Sequence, residues 1–148
     1  MRKGRKDRVP REAYQFRSGG EDDGLGVYDV EPGGGKPVVV GDRVAVHFDC
    51  KWRNLTVYTS RQGMGVTGGT PLGFDVGAKK EGGTLRGLDL GVRGMRVGGR
   101  RSLIVPPRLA WGDKQVGEVP PNSELTIEVQ LLSIKDSPFG SRVKLVEG

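Results

Sequence analysis

The chain has 148 residues, 34% hydrophobic and 28% charged, a composition typical of a soluble globular domain. A chain of this length can bury a core without metal or disulfide support, and the single cysteine, Cys50, excludes an internal disulfide. No apolar run approaches the roughly 20 residues that span a bilayer. The N-terminus also lacks the apolar core of a signal peptide.

The net charge of +6 is concentrated at one end of the chain. The first 17 residues carry seven basic and two acidic side chains, whereas the remainder is almost neutral. The positive charge therefore belongs to a terminal segment and does not predict a basic face on the domain. Nucleic-acid binding through Arg2 to Arg11 is retained only as a third hypothesis, and no nucleic-acid partner is predicted.

Residues 1–25 form a basic and then glycine-rich, acidic segment, which predicts an extended arm with little to bury. From Gly26 onward the pattern favours strands, with a turn at residues 32–35. Residues 43–49 alternate between apolar and polar, with Val44, Val46 and Phe48 on one face. A second strand is predicted from Trp52 to Ser60, followed by a glycine-rich loop over residues 62–70.

The second half contains a short strand at Phe74 and Val76 and one helix candidate, Thr84 to Val92. Thr84 is its predicted N-cap, and two internal glycines weaken its helix propensity. Further strands are predicted from Arg100 to Val105 and from Leu125 to Leu131, and residues 136–148 form a tail. These elements predict an α+β domain of antiparallel strands around one short helix. Its predicted core places three helix residues against the sheet: Leu85, Leu88 and Val92 against Val46, Phe48, Phe74, Leu103, Ile127 and Val129.

Several kinds of chemistry lack the residues that they need. His47 is the only histidine and lies on the polar face of its strand, so no Ser-His or Cys-His pair is expected. No cluster of cysteine and histidine predicts a metal site, and no cofactor is expected. Cys50, at the end of an apolar strand, is predicted to be a buried thiol. Rotation about an X-Pro bond needs no proton transfer, because its barrier of about 20 kcal/mol comes from amide resonance.

Six segments, in order, resemble motifs of the FKBP-type peptidyl-prolyl cis-trans isomerases. They cover about 110 residues and are Gly41-Asp42-Arg43-Val44-Ala45-Val46-His47-Phe48, Pro71-Leu72-Gly73-Phe74-Asp75-Val76-Gly77, Leu85-Arg86-Gly87-Leu88-Asp89-Leu90-Gly91-Val92, Met95-Arg96-Val97-Gly98-Gly99-Arg100-Arg101, Leu109-Ala110-Trp111-Gly112 and Val119-Pro120-Pro121-Asn122-Ser123-Glu124-Leu125. The resemblance implies a domain over residues 26–135, with a twisted antiparallel sheet wrapped around one short helix.

The resemblance also implies an apolar pocket that binds proline-containing segments. Its members by position are Phe48, Val57, Tyr58, Leu72, Phe74, Thr84, Leu85, Leu88, Trp111, Val119 and Ile127. Leu88 takes the place of the tryptophan on the pocket floor, and Trp111 that of a tyrosine whose hydroxyl binds the substrate carbonyl. No residue of the set is expected to act as an acid or base.

Departures from the family pattern predict weak catalysis. Tyr58 stands where the family has an aspartate, and Phe48 lacks the hydroxyl of the wall tyrosine that it replaces. Leu88 reshapes the pocket floor, and Trp111 can donate a hydrogen bond but cannot accept one. An isomerase with low turnover and a non-catalytic subunit that uses the fold for docking both remain open.

Residues 46–61 and 26–33 are most similar to plant and algal members of the family from the chloroplast thylakoid lumen. That similarity implies the lumen as location, with the cytoplasm as the alternative, and agrees with a targeting peptide already removed. Some of those members are auxiliary subunits of photosynthetic complexes, so peripheral association with a membrane complex is a second partner hypothesis beside proline-containing clients. The arm and the tail are predicted to mediate it through Tyr14, Phe16, Phe139, Val143, Leu145 and Val146.

Overall fold

The computed structural model describes residues 9–61, 69–78 and 85–135, so the tail 136–148 and most of the loop 62–70 lie outside the described residues. The described ranges contain one α-helix, α1 (Arg86–Gly91), and two short 3-10 helices, Arg11–Ala13 and Pro107–Leu109. The strands are β1 (Gln15–Phe16), β2 (Gly26–Glu31), β3 (Arg43–Trp52), β4 (Leu55–Thr59), β5 (Leu72–Asp75), β6 (Arg100–Val105) and β7 (Leu125–Lys135).

All seven strands form one antiparallel sheet in the order β1-β2-β6-β7-β3-β4, with β5 also paired to β3. β4 and β5 share one edge of β3, β5 along its first half and β4 along its second. The predicted strand Trp52 to Ser60 is interrupted, because Arg53 and Asn54 have φ of 53° and 71° and form a two-residue hairpin turn. The predicted α+β class, with one short helix against an antiparallel sheet, is confirmed.

The inner face of the sheet supplies most of the core. Along β3, Val44, Val46, Phe48 and Cys50 are buried and alternate with more exposed neighbours, as the sequence pattern predicts. β7 repeats this alternation over residues 125–131. Cys50 is fully buried, as predicted, and burial raises the pKa of its thiol to about 12.

The helix α1 is shorter than predicted and is buried by unusually close contact with β6. Leu85, not Thr84, is its N-cap, with extended backbone and no side-chain cap, and Thr84 lies outside the described residues. A Cβ on Gly87 would lie 2.4 Å from Cγ1 of Val105, and one on Gly91 would lie 2.4 Å from Cδ1 of Leu103. The two glycines that weaken the helix locally therefore permit its packing.

Replacing Gly91 with alanine should destabilise the domain, although alanine is the better helix former. Overpacking costs about 1–3 kcal/mol and exceeds the gain of about 1 kcal/mol in helix propensity. Urea unfolding, monitored by circular dichroism, measures whether the free energy of unfolding falls or rises. Gly34→Ala is the control, because Gly34 has no atom within 4 Å of the new Cβ. Equal or higher stability of Gly91→Ala would contradict the close packing.

Arg101 on β6 fixes the end of the helix. Its side chain is buried and donates hydrogen bonds to the carbonyl oxygens of Gly91 (2.8 Å) and Arg93 (3.0 Å). Its Nε donates to Asp29 Oδ1 of β2 at 2.7 Å. One guanidinium thus supplies donors to carbonyls that the helix end leaves unpaired, and ties them to two strands.

Residues 9–25 lie against the sheet. Leu25 is fully buried, and β1 pairs with the start of β2. Tyr14 is buried on the outer face, where its hydroxyl lies 2.6 Å from Ser102 Oγ. This part of the predicted arm therefore has contacts within the domain, and Tyr14 is not available to a partner in this arrangement.

Candidate functional site

The strands bring four of the predicted pocket residues to one face. Phe48 and Ile127 come from β3 and β7, and both are buried. β5 adds Leu72 and Phe74, opposite Val46 and Val44 of β3, with Phe74 buried and Leu72 partly buried. The sheet register therefore places these four side chains against a common apolar cluster.

The helix and a long loop add four more residues to that cluster. Leu88 of α1 is 2% exposed, and Leu85 is partly buried against the same core. Val119 is buried, and its loop is held by hydrogen bonds from Asn122 N–H to the Gly112 carbonyl (2.7 Å) and between Val116 and Val119. This loop carries Trp111, which packs partly buried against the cluster.

β4 contributes Val57 and Tyr58 at an irregularity in the sheet. Cys50 pairs with Tyr58, but the next residue, Lys51, pairs with Thr56, which leaves Val57 as an extra residue in a β-bulge. Val57 packs partly buried against the core. The Tyr58 ring meets the Trp111 ring edge to face at a centroid distance of 5.7 Å, and Tyr58 remains 43% exposed. The two rings therefore form an aromatic edge where the cluster meets solvent.

Ser60 holds the main chain beside Phe48. Its Oγ accepts a hydrogen bond from Phe48 N–H at 2.8 Å and lies 2.9 Å from Nδ1 of His47. Its N–H donates to the Phe48 carbonyl at 3.0 Å. His47, which the sequence places on the polar face of its strand, is half-buried. The role of Ser60 was not predicted, because the contact depends on how β4 returns beside β3.

Asp89 is a second residue that the sequence did not single out. It is buried within α1, and its Oδ1 accepts a hydrogen bond from Gly77 N–H at 2.9 Å. This bond fixes the turn after β5 to the helix, and so positions Phe74 relative to Leu88. The sequence did contain a signal for this role of Asp89, because it is an acidic residue between Leu88 and Leu90, where the pattern is otherwise apolar.

The predicted pocket residues are almost entirely apolar. Ten of the eleven members lie in the described residues, nine of them within or against the apolar cluster and Tyr58 at its edge; Thr84 lies outside. The available polar groups are the Trp111 indole N–H, which can only donate, and the Tyr58 hydroxyl. Such a surface can remove water from a proline ring and its amide, but it carries no acid/base pair. Among the described residues, no group of three or more His, Cys, Asp or Glu is arranged to hold a metal ion.

A separate groove of about 1380 Å³ lies on the outer face of the sheet, and one wall is formed by Val9, Pro10, Arg11, Ala13 and Tyr14. It shares no residue with the predicted set. Its floor is polar, and its charges are largely paired, as in Lys51–Glu128 (3.2 Å) and the two-pronged contact of Arg11 with Glu124 (3.0 and 3.1 Å). These contacts raise the pKa of Arg11, mainly through the Glu124 hydrogen bond. An apolar ring is better accommodated by the inner cluster.

Comparison with known proteins agrees with the fold. The chain is 59% identical over 125 residues to "Peptidyl-prolyl cis-trans isomerase FKBP16-4, chloroplastic" of Arabidopsis thaliana, covering 84% of this chain and 54% of that protein. It is 31% identical to "Peptidyl-prolyl cis-trans isomerase FKBP18, chloroplastic" of the same plant, covering 88% and 65%. The chain thus spans about half to two thirds of the length of these relatives. No helix in the described ranges has the length and apolar character needed to cross a membrane.

Solved structures give the same result. The crystal structure of AtFKBP13 matches with a TM-score of 0.62 and 30% identity over 74% of this chain and 92% of that one. The crystal structure of FkpA from Escherichia coli matches with a TM-score of 0.68 and 29% identity over 86% and 54%. Residues 34–132 match the family described as FKBP-type peptidyl-prolyl cis-trans isomerase, and the chain belongs to that family.

Proposed function

We propose that the apolar cluster binds proline-containing segments of client proteins and accelerates X-Pro isomerisation weakly. The supporting observation is the convergence of β3, β4, β5, β7, α1 and the loop of residues 110–123 on one apolar cluster. Its predicted members Val57, Leu72, Leu85 and Trp111 are only partly buried, and Tyr58 lies at its edge. A proline ring bound there would leave water, and the free energy of the twisted amide would fall relative to that of the planar amide. The Trp111 indole is the donor available to the carbonyl of the twisted amide.

The expected weakness has a physical cause in two side chains. Tyr58 stands at the position that carries a carboxylate in the family, and its neutral ring packs against Trp111. Leu88 is buried among other apolar side chains and offers less surface to a substrate than a tryptophan would. Both changes are expected to weaken interactions with the twisted amide.

A protease-coupled assay on a proline-containing peptide tests the proposal. Turnover should be detectable but lower than that of a typical family member, and Tyr58→Asp combined with Leu88→Trp should raise it. Trp111→Leu should lower kcat/KM, whereas Glu128→Gln on the outer face should leave it unchanged. Turnover equal to that of a typical member, or no response to Trp111→Leu, would contradict the proposal. Thermal unfolding of each variant checks that the domain is intact.

The second candidate is a non-catalytic subunit that docks on a thylakoid photosynthetic complex. The exposed Tyr58 ring in place of an acidic group favours it, because aromatic side chains are enriched in protein interfaces. Deleting residues 1–8 and 136–148 should then reduce co-purification with a native membrane complex. Undiminished association with unchanged salt sensitivity would show that the ends are passive.

For location we propose the chloroplast and, more finely, the thylakoid lumen, with the cytoplasm as the alternative. The two Arabidopsis relatives are named chloroplastic, which supports the coarser assignment. Protease protection of the protein in intact thylakoids, lost on their disruption, is the expected result. Digestion in intact thylakoids would exclude the lumen.

A further inference from the structure

Three arginines, from α1, the turn that follows it and the 3-10 helix Pro107–Leu109, converge on one turn of the N-terminal segment. We call them the arginine cluster (Arg86, Arg93 and Arg108) and the turn, residues 18–24, the acidic turn. Arg86 Nη2 contacts Glu21 Oε1, and Arg93 Nη1 lies 3.4 Å from Glu21 Oε2. Arg108 donates instead to main-chain carbonyl oxygens, those of Glu21 and Asp23.

Two members of the arginine cluster, Arg86 and Arg93, are held in place by a buried aspartate of α1. Asp89 is buried, and its Oδ2 lies 3.5 Å from Arg86 Nη1 and 3.6 Å from Arg93 Nη2. Arg101 binds the main-chain carbonyl of Arg93. Arg86 and Arg93 are therefore positioned by Asp89 and by Arg101 of β6, independently of the turn that they contact.

The acidic turn leaves this surface incompletely neutralised. Asp22 forms an ion pair with Arg17 at 2.8 Å, and Asp23 accepts a hydrogen bond from Gly19 N–H, so both carboxylates stabilise the turn itself. Glu21 and Asp89 are then the carboxylates that face three guanidinium groups. Within the described part of the chain, Arg86 Nη1 and Arg93 Nε are buried and form no hydrogen bond, an unfavourable state that further acceptor oxygens would relieve.

The contact of the acidic turn is also weak enough to be replaced. The Glu21 side chain is 53% exposed, and ion pairs at such positions contribute little to stability. A segment with several carboxylates could fill the same positions and also accept hydrogen bonds from Arg86 Nη1, which among the residues that the structure describes has only the 3.5 Å ion pair with Asp89, and from Arg93 Nε. The present occupant is a polypeptide, bound by its carboxylate at two arginines and by its carbonyls at the third, and this favours a protein ligand over a lipid headgroup.

We propose that the arginine cluster is a binding surface for an acidic segment of a partner protein, and that Glu21 occupies it in the free chain. The surface adjoins the apolar cluster through Leu85, which precedes Arg86 in sequence and packs partly buried against that cluster. It does not depend on isomerase activity, so a chain inactive on proline peptides would still bind the acidic segment.

Fluorescence anisotropy with a labelled hexaglutamate peptide and the full chain tests this inference, with hexaglutamine as the probe control. Glu21→Gln removes the competing carboxylate but keeps the carbonyls that Arg108 contacts, and it should tighten hexaglutamate binding about threefold to fivefold. Arg93→Gln should weaken binding about tenfold in either background, and added salt should reduce the difference.

Arg43→Gln is the matched charge control, because Arg43 is exposed and pairs with Asp75, not with the acidic turn. The proposal fails if Arg43→Gln and Arg93→Gln weaken binding equally, since net charge alone would then explain it. It also fails if Glu21→Gln has no effect while its thermal unfolding is unchanged. Binding to phosphatidylserine vesicles with the same dependence on Arg93, without binding to hexaglutamate, would assign the surface to membranes and overturn it.

Discussion

Replacing Arg101 with methionine should lower the free energy of unfolding by about 3 kcal/mol. Removing one member of a buried ion pair costs about 3–5 kcal/mol, and the lower end applies because the Asp29 side chain is 50% exposed and can be rehydrated. The carbonyls of Gly91 and Arg93 would also lose their donor at the end of the helix. Methionine keeps most of the volume, so the loss reports the hydrogen bonds and not a cavity.

Urea unfolding of Arg101→Met beside Arg100→Met separates this effect from the loss of a charge. Arg100 is the neighbouring residue on the same strand, is half exposed and lies 3.7 Å from Glu31, so its replacement should cost at most about 1 kcal/mol. Hydrogen exchange of α1 amides should accelerate in Arg101→Met alone. If the two variants lose the same stability, Arg101 does not act as the anchor of the helix.

Leu88→Ala should lower the free energy of unfolding by about 2–5 kcal/mol. Leu88 is 2% exposed within the apolar cluster, and a truncated side chain there loses its transfer free energy and leaves a cavity. The upper part of the range is expected, because the close approach of Gly87 to Val105 limits how far the helix can move to fill the space.

Leu55→Ala is the control for this truncation. Leu55 is 46% exposed on β4, so removing the same atoms should change stability by about 0.5 kcal/mol or less. Both variants are compared by their urea midpoints, provided that their free energies of unfolding depend on urea concentration with the same slope. A loss below about 1 kcal/mol for Leu88→Ala would place Leu88 at the surface and contradict the assignment of the pocket floor.

Much of the candidate site was predictable because it rests on local patterns. Alternation along β3 and β7 identifies which residues share a face, so the burial of Phe48 and Ile127 follows from the sequence. The position of Tyr58 does not, because it depends on a bulge that leaves Val57 unpaired in β4. The edge-to-face contact of Tyr58 with Trp111 required the fold of the 110–123 loop as well.

The sequence by itself determined the strand alternation, the single short helix and the motif order that indicates the family. These properties depend on the spacing of neighbouring residues, which can be read directly from the sequence. Only the tertiary structure decided what Gly91, Arg101 and Glu21 do. The contacts of Arg101 with Asp29 and of Arg93 with Glu21 each join residues 72 positions apart, and they exist because the sheet brings distant segments together. A glycine that weakens a helix in isolation becomes necessary there, since packing against β6 leaves no space for a Cβ.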